Sequence, residues 1–108
     1  CKKMSRHELE ANLSDFIETS FKMLKDKGIL YMVHRAERLV DIMYELRKQK
    51  IEPKEIRFVH SKVGTKPILI LIKAIKNGRP FLQIKEPLYI YEEDRNYTQE
   101  ILKIYHKL

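Results

Sequence analysis

The sequence predicts an α/β fold, and three observations carry that reading. Apolar stripes at helical spacing alternate with short runs of β-formers along the chain. The order helix, strand, helix, strand implies parallel strands joined by a crossover helix. Two later strands stand only a few residues apart, so they should form an antiparallel hairpin. A free-standing sheet of this kind would want more strands. The expected class is therefore the C-terminal half of an open α/β sheet, with residues 1–108 as one partial domain.

Residues 1–11 carry charge without clear periodicity and read as a lead-in loop. Asn12 looks like a helix N-cap, with Asp15 as a short capping-box partner. Leu13, Phe16, Ile17, Phe21 and Leu24 then fall on one helical face, and Gly28 supplies the stop. Ile29–His34 is a short apolar run rich in β-formers, hence a buried strand. The spacing of Leu39, Ile42, Met43 and Leu46 predicts a second helix over Glu37–Gln49, with Pro53 just beyond its end.

Ile56–Lys62 reads as a strand, followed by a turn near Gly64 and a strand over Pro67–Ile75. The aliphatic run from Ile68 to Ile72 is the pattern of a strand covered on both faces. Asn77-Gly78 signals a tight turn, and Phe81–Ile84 suits a short returning strand. Pro87 to Asp94 reads as irregular, with Tyr89 and Tyr91 in it. Thr98 then caps a last helix whose Ile101, Leu102, Tyr105 and Leu108 repeat on one face.

The chain is 44% apolar and 34% charged, which suits a globular domain rather than a disordered one. No apolar run approaches the ~20 residues of a membrane helix, and no signal peptide is evident. The single cysteine, Cys1, excludes an internal disulfide and a multi-cysteine zinc site, which fits a reducing cytoplasm. A start at Cys rather than Met suggests that something precedes it. Of His7, His34, His60 and His106, none forms a helical i, i+4 pair, so no metal site is expected. No serine sits in a nucleophile-elbow context.

The net charge of +7 suits a polyanionic partner such as nucleic acid, or lysines that merely solvate helix faces. Lys50, Lys54, Arg57, Lys62 and Lys66 flank the hairpin, and Lys73, Lys76 and Arg79 continue beyond it. With Tyr89 and Tyr91 they suit a basic RNA-binding surface. Alternatively the lysines blunt a sheet edge while the tyrosines pack under the last helix. A non-catalytic RNA-binding module and a structural dimerisation domain both fit this pattern.

One run is more specific. Tyr31-Met32-Val33-His34-Arg35-Ala36-Glu37-Arg38-Leu39-Val40-Asp41-Ile42 resembles a signature of bacterial tRNA adenine-N6 methyltransferases, which modify an adenine beside the anticodon of a valine tRNA. Three other segments resemble that family in order and spacing: Arg6-His7-Glu8, Glu52 to His60, and Pro87-Leu88-Tyr89-Ile90-Tyr91. Ala36 departs from the family, which usually has proline there, and proline is again missing near Ser61.

The resemblance implies a Rossmann-like class I methyltransferase sheet that uses S-adenosylmethionine in the intact enzyme. It implies that Ile29–His34 is the fifth strand and the hairpin the sixth and seventh, with the hairpin's second strand inserted between the fifth and sixth. It implies substrate contacts from Arg6, on phosphate, and His7, near the target base, and from His34 and Arg35 at a strand's C-terminal edge. Plain alternatives remain: solvated terminal charges for the first pair, and a helix start at Arg35 and Glu37 for the second.

The family's glycine-rich turn and Asn-Pro-Pro-Tyr motif have no counterpart here, since Gly28, Gly64 and Gly78 are isolated. The chain alone is thus expected to be inactive and to bind no cofactor. The break would fall between the catalytic loop and the helix after it. The outer edge of Ile29–His34 would then lack its neighbour, and self-association through that edge, as a dimer, is expected.

Overall fold

The computed structural model describes residues 6–94 and 96–107, with side chains from 12 to 94 and 96 to 106. In chain order it forms α1 (Arg6–Met23), β1 (Ile29–Arg35), a single 3-10 turn (Ala36–Arg38), α2 (Leu39–Lys48) and β2 (Ile51–His60). There follow β3 (Pro67–Lys76), β4 (Gln83–Ile84), β5 (Leu88–Tyr89) and α3 (Gln99–Lys107).

The sheet order is β1-β3-β2-β4, with β5 also beside β2. β3 runs antiparallel to both long neighbours, from Ile29↔Ile75 to Arg35↔Leu69 on one side and from Ile51↔Lys76 to His60↔Pro67 on the other. β1 and β2 are therefore parallel, with α2 as their crossover and the hairpin's second strand between them. This is the insertion that the family resemblance implies.

Side chains alternate across the strands. Met32, Ile56, Ile70, Ile72 and Ala74 point to the helices and bury with Leu13 and Ile17 of α1 and Ile42 and Leu46 of α2. The helical stripes bury as their spacing predicts, except that Phe16 of α1 stays 51% exposed. The opposite face carries Tyr31, Val33, Leu71, Lys73, Glu55 and Arg57, which line an open cavity of about 610 Å³. The expectation that β3 is covered on both faces is thus corrected. Among the described residues, α1 and α2 cover one side, and Leu69 and Leu71 stay half-buried.

Several elements differ from the sequence expectations: β1 is not a buried strand, since only its Met32 is buried, and β5 falls within the stretch expected to be irregular. α1 begins at Arg6, so residues 6–11 are helical and Asn12 lies inside the helix rather than capping it. Good helix formers such as Glu8, Leu9, Glu10 and Ala11 outweigh the cap-like Asn12. β2 begins at Ile51, because β3 is ten residues long and offers partners that far back. Pro53 is tolerated at a register shift between Pro53 and Glu55, and β4 pairs only from Glu55. Finally, β4 returns parallel to β2 and not against β3. The Lys54 ammonium donates to the carbonyls of Arg79 (2.8 Å) and Pro80 (3.1 Å), which holds the chain as it crosses the start of β2.

Both ends of the molecule are tied by polar contacts. Thr98 Oγ1 accepts the Ile101 N–H at 3.3 Å, the expected cap of α3, and donates to Tyr89 O at 2.6 Å. α3 nevertheless leaves Tyr105 exposed, so its stripe is only partly buried. At the other end, Lys76 Nζ donates to the carbonyls of Phe21 and Leu24, both at 2.8 Å, and sits 4.1 Å from the Phe21 ring centre. A cation here satisfies carbonyls that α1 leaves free and meets the negative end of its dipole. Gly28 fits the same corner, since a Cβ there would lie 2.8 Å from the Lys25 carbonyl.

Two substitutions test this division. Ile72→Ala should cost about 2–5 kcal/mol in urea unfolding, as a core truncation does, whereas Leu71→Ala, one residue away on the bare face, should cost clearly less. Lys76→Met should cost about 1.5–3 kcal/mol, the range for hydrogen bonds made by a charged group.

Candidate functional site at the end of β1

β1 and β2 are parallel, so Arg35 and His60 end at the same side of the sheet. In open α/β sheets ligands bind beyond such ends. His34 is half-buried, and its Nδ1 accepts the Arg35 N–H at 2.9 Å. That bond leaves Nε2 as the protonated nitrogen of the neutral ring. His34 lines a cavity of about 410 Å³ together with Asn12, Leu13 and Phe16 of α1 and Tyr31 to Val33 of β1. The Arg35 side chain is 77% exposed, 3.8 Å from an equally exposed Glu37. A pair in that setting holds neither partner firmly. Arg35 stays available to an anion.

Arg6 and His7 open α1, and their side chains lie outside the described residues. Their backbone position still follows. Lys76 pins the C-terminus of α1 beside the start of β1, and Asn12 shares a cavity with His34. Arg6 therefore lies about 9 Å further along the axis, at 1.5 Å per residue. The four candidate residues of the sequence belong to one end of the fold.

Arg38 went unremarked in the sequence, although it belongs to the same run. Its guanidinium is mostly buried and bonds Asp41 at 2.8 Å, which fixes the start of α2. Only the i, i+3 spacing at a helix start signals this pair.

His60 has a structural setting. Its Nδ1 lies 2.6 Å from the Thr65 carbonyl across the hairpin, and its ring is 5.4 Å from that of Tyr89. Tyr91 stacks on Tyr97, with centroids 5.3 Å apart, so those rings are already engaged with each other.

The basic residues do not gather into one surface. Lys54 is held by carbonyls, Arg57 by Glu100 (2.5 Å) and by the Glu86 carbonyl (2.8 Å), Lys73 by Glu55 (3.2 Å), and Lys76 by α1. Lys62 and Lys66 lie at the hairpin turn, whereas Lys50 and Arg79 lie at its far end. Ten-residue strands separate the two groups by about 33 Å.

The glycines do not suit a cofactor cradle. Gly64 has φ +87° in the hairpin turn, and Gly28 and Gly78 pack against the carbonyls of their own turns. None opens a helix after a parallel strand, so the described residues do not fit the glycine-rich turn that holds S-adenosylmethionine in this fold. Among the described residues, no group of three His, Cys, Asp or Glu side chains could hold a metal, and no helix is long and apolar enough to cross a membrane.

Together the mixed sheet, its three helices and the inserted hairpin define a methyltransferase-like Rossmann α/β fold. A crystal structure of a predicted O-methyltransferase, protein Atu636 from Agrobacterium tumefaciens, superposes with a TM-score of 0.78 at 22% sequence identity. The match covers 87% of this chain and 45% of that one, so this chain spans less than half of its structural neighbour. No protein-family model and no curated protein matches the sequence.

On the bare face the Glu55 carboxylate bridges Lys85 (3.0 Å) and Lys73 (3.2 Å), which hold its pKa below the ordinary value. A lowered carboxylate pKa contributes stability that is full above the unfolded value of 4.5 and is lost as pH falls through the folded one. Glu55→Gln should therefore lower the urea midpoint at pH 7 and lower it by less at pH 3. An equal loss at both would assign the effect to packing.

Proposed function

We propose that this chain supplies the C-terminal half of a class I, S-adenosylmethionine-dependent methyltransferase whose intact form methylates N6 of an adenine in tRNA. The observation that carries the reading is β3 inserted antiparallel between two parallel strands, in a fold that matches under half of a predicted O-methyltransferase. The Tyr31–Ile42 run and its three companion segments support the finer substrate class.

The handedness of crossovers adds support. β1 leads through α2 to β2, and α1 lies on the same face as α2. Crossovers between parallel strands are right-handed. A parallel strand leading into α1 would therefore lie on the side of β1 away from β3, along its unpaired edge. The cofactor and the catalytic loop belong to such a preceding half. This chain contributes scaffold and, from Arg6, His7, His34 and Arg35, the side that meets the substrate. The reading places the protein in the cytoplasm, where tRNA is available.

A separate RNA-binding module draws no support from the dispersed lysines. Calorimetry of this chain with S-adenosylmethionine should show no heat of binding, and tight binding would overturn the assignment of the cofactor to another segment. A tRNA anticodon stem-loop should bind in a salt-sensitive manner. Arg35→Ala should weaken that binding several-fold and reduce the salt slope by about 1, the effect of one lost phosphate contact. An unchanged slope would remove Arg35 from the interface.

A further inference from the structure

The β2–β3 hairpin reaches past the rest of the sheet at its ligand-binding end. Arg35, the last residue of β1, pairs with Leu69 of β3, and the ladder between those strands stops there. The turn that joins His60 to Pro67 lies beyond it. Lys66 stands before Pro67, about 10 Å further out than Leu69 at the usual rise of a strand.

This turn is built rather than loose. Thr65 Oγ1 donates to the Lys62 carbonyl at 2.6 Å, accepts the Lys62 N–H at 3.3 Å and lies 3.4 Å from Ser61 Oγ. His60 Nδ1 meets the Thr65 carbonyl, and Gly64 takes a φ of +87° that L side chains rarely adopt. Side-chain bonds to nearby backbone of this kind fix a turn. The tip is ordered before any ligand arrives, which reduces the entropy lost on binding.

Its lysines are free. Lys54, Lys73, Lys76 and Lys85 each hold a carbonyl or a carboxylate. Lys62 and Lys66 are exposed, and neither side chain has an ion pair or hydrogen bond among the described residues. The carboxylates at this end lie on one flank only. Glu92, Glu93 and Asp94 line a cavity with Val63 and Tyr89, on the β5 side of the turn. β1 and the exposed Arg35 lie on the other side. A polyanion is repelled from the first flank and drawn to the second.

We propose that the hairpin tip grips the sugar-phosphate backbone of the RNA substrate, with Lys62 and Lys66 on phosphates and the RNA running from them toward Arg35. This deepens the methyltransferase reading and rests on it. The step of about 10 Å from the tip to the end of β1 is the rise of roughly three nucleotides along one stacked strand. Lysine acts on phosphate as a point charge on a flexible stem, and such contacts set register without reading sequence. The tip fixes where the RNA lies and recognises no base.

The whole chain, titrated with a tRNA anticodon stem-loop, reports on the tip directly. Lys62→Ala/Lys66→Ala should keep the circular dichroism spectrum and the urea midpoint, since both sites are exposed. It should reduce the salt slope of binding by about 2, one for each lost phosphate contact, and equally for stem-loops of different sequence. Lys62→Arg/Lys66→Arg should retain the parent slope, because the charge is kept. Lys48→Ala/Arg79→Ala removes two cations at the opposite end of the sheet and should leave the slope unchanged. Bound RNA should slow the acetylation of Lys62 and Lys66 several-fold, read by mass spectrometry, and not that of Lys48.

Salt-sensitive binding whose slope survives Lys62→Ala/Lys66→Ala overturns the tip and leaves the methyltransferase reading standing. An equal loss in Lys48→Ala/Arg79→Ala also overturns it, since the attraction is then diffuse. No binding by the parent at low salt overturns the RNA substrate, and the tip with it.

Discussion

Both ladders of β3 set the position of everything else. By lying antiparallel between β1 and β2 it holds the two parallel strands about 10 Å apart, twice the usual strand spacing. The crossover through α2 must span that gap, which brings Ile42 and Leu46 over the middle of the sheet. Ile70, Ile72 and Ala74 form the floor of the core, and a slip of one residue would turn all three to the outside. Arg35 and His60 end on the same side only because β3 keeps their strands parallel and in step.

The bare face divides into two regions of different chemistry. Near β1 it is apolar, with Tyr31, Val33 and Leu71. Toward β2 it is ionic, with Glu55 between two lysines and Arg57 against Glu100. Covering the ionic part would strip water from charges whose mutual attraction scarcely repays the loss. A second layer therefore gains most above β1, next to the unpaired edge.

Much of this was legible in residue types and spacing. The stripes of α1 and α2 and the β-formers of β1 and β3 announced themselves, and His34 and Arg35 could be placed at a strand end from element order alone. Other features were hidden for physical reasons. Pro53 masks the first half of β2, because a proline is compatible with a strand only where the ladder is irregular, and irregularity is a property of the pair. Asn12 and Asp15 imitate a helix start although the helix is already under way. Neither the scattering of the lysines nor the lock between His34 Nδ1 and the Arg35 amide can be seen before register and backbone angles are known. The order of β1, β3 and β2 came from the family resemblance, since periodicity does not say where a hairpin inserts.

The ammonium of Lys76 also bears on how the chain acquires its shape. It is the last residue of β3, yet it holds carbonyls 52 and 55 positions earlier. α1 faces water with few apolar contacts of its own until the sheet beneath it exists, and most of a helix's stability in a protein comes from packing its apolar face. During synthesis from the N-terminus, α1 would emerge before β3 and become secure only once β3 is in place. It waits for the strand that both floors it and closes its end.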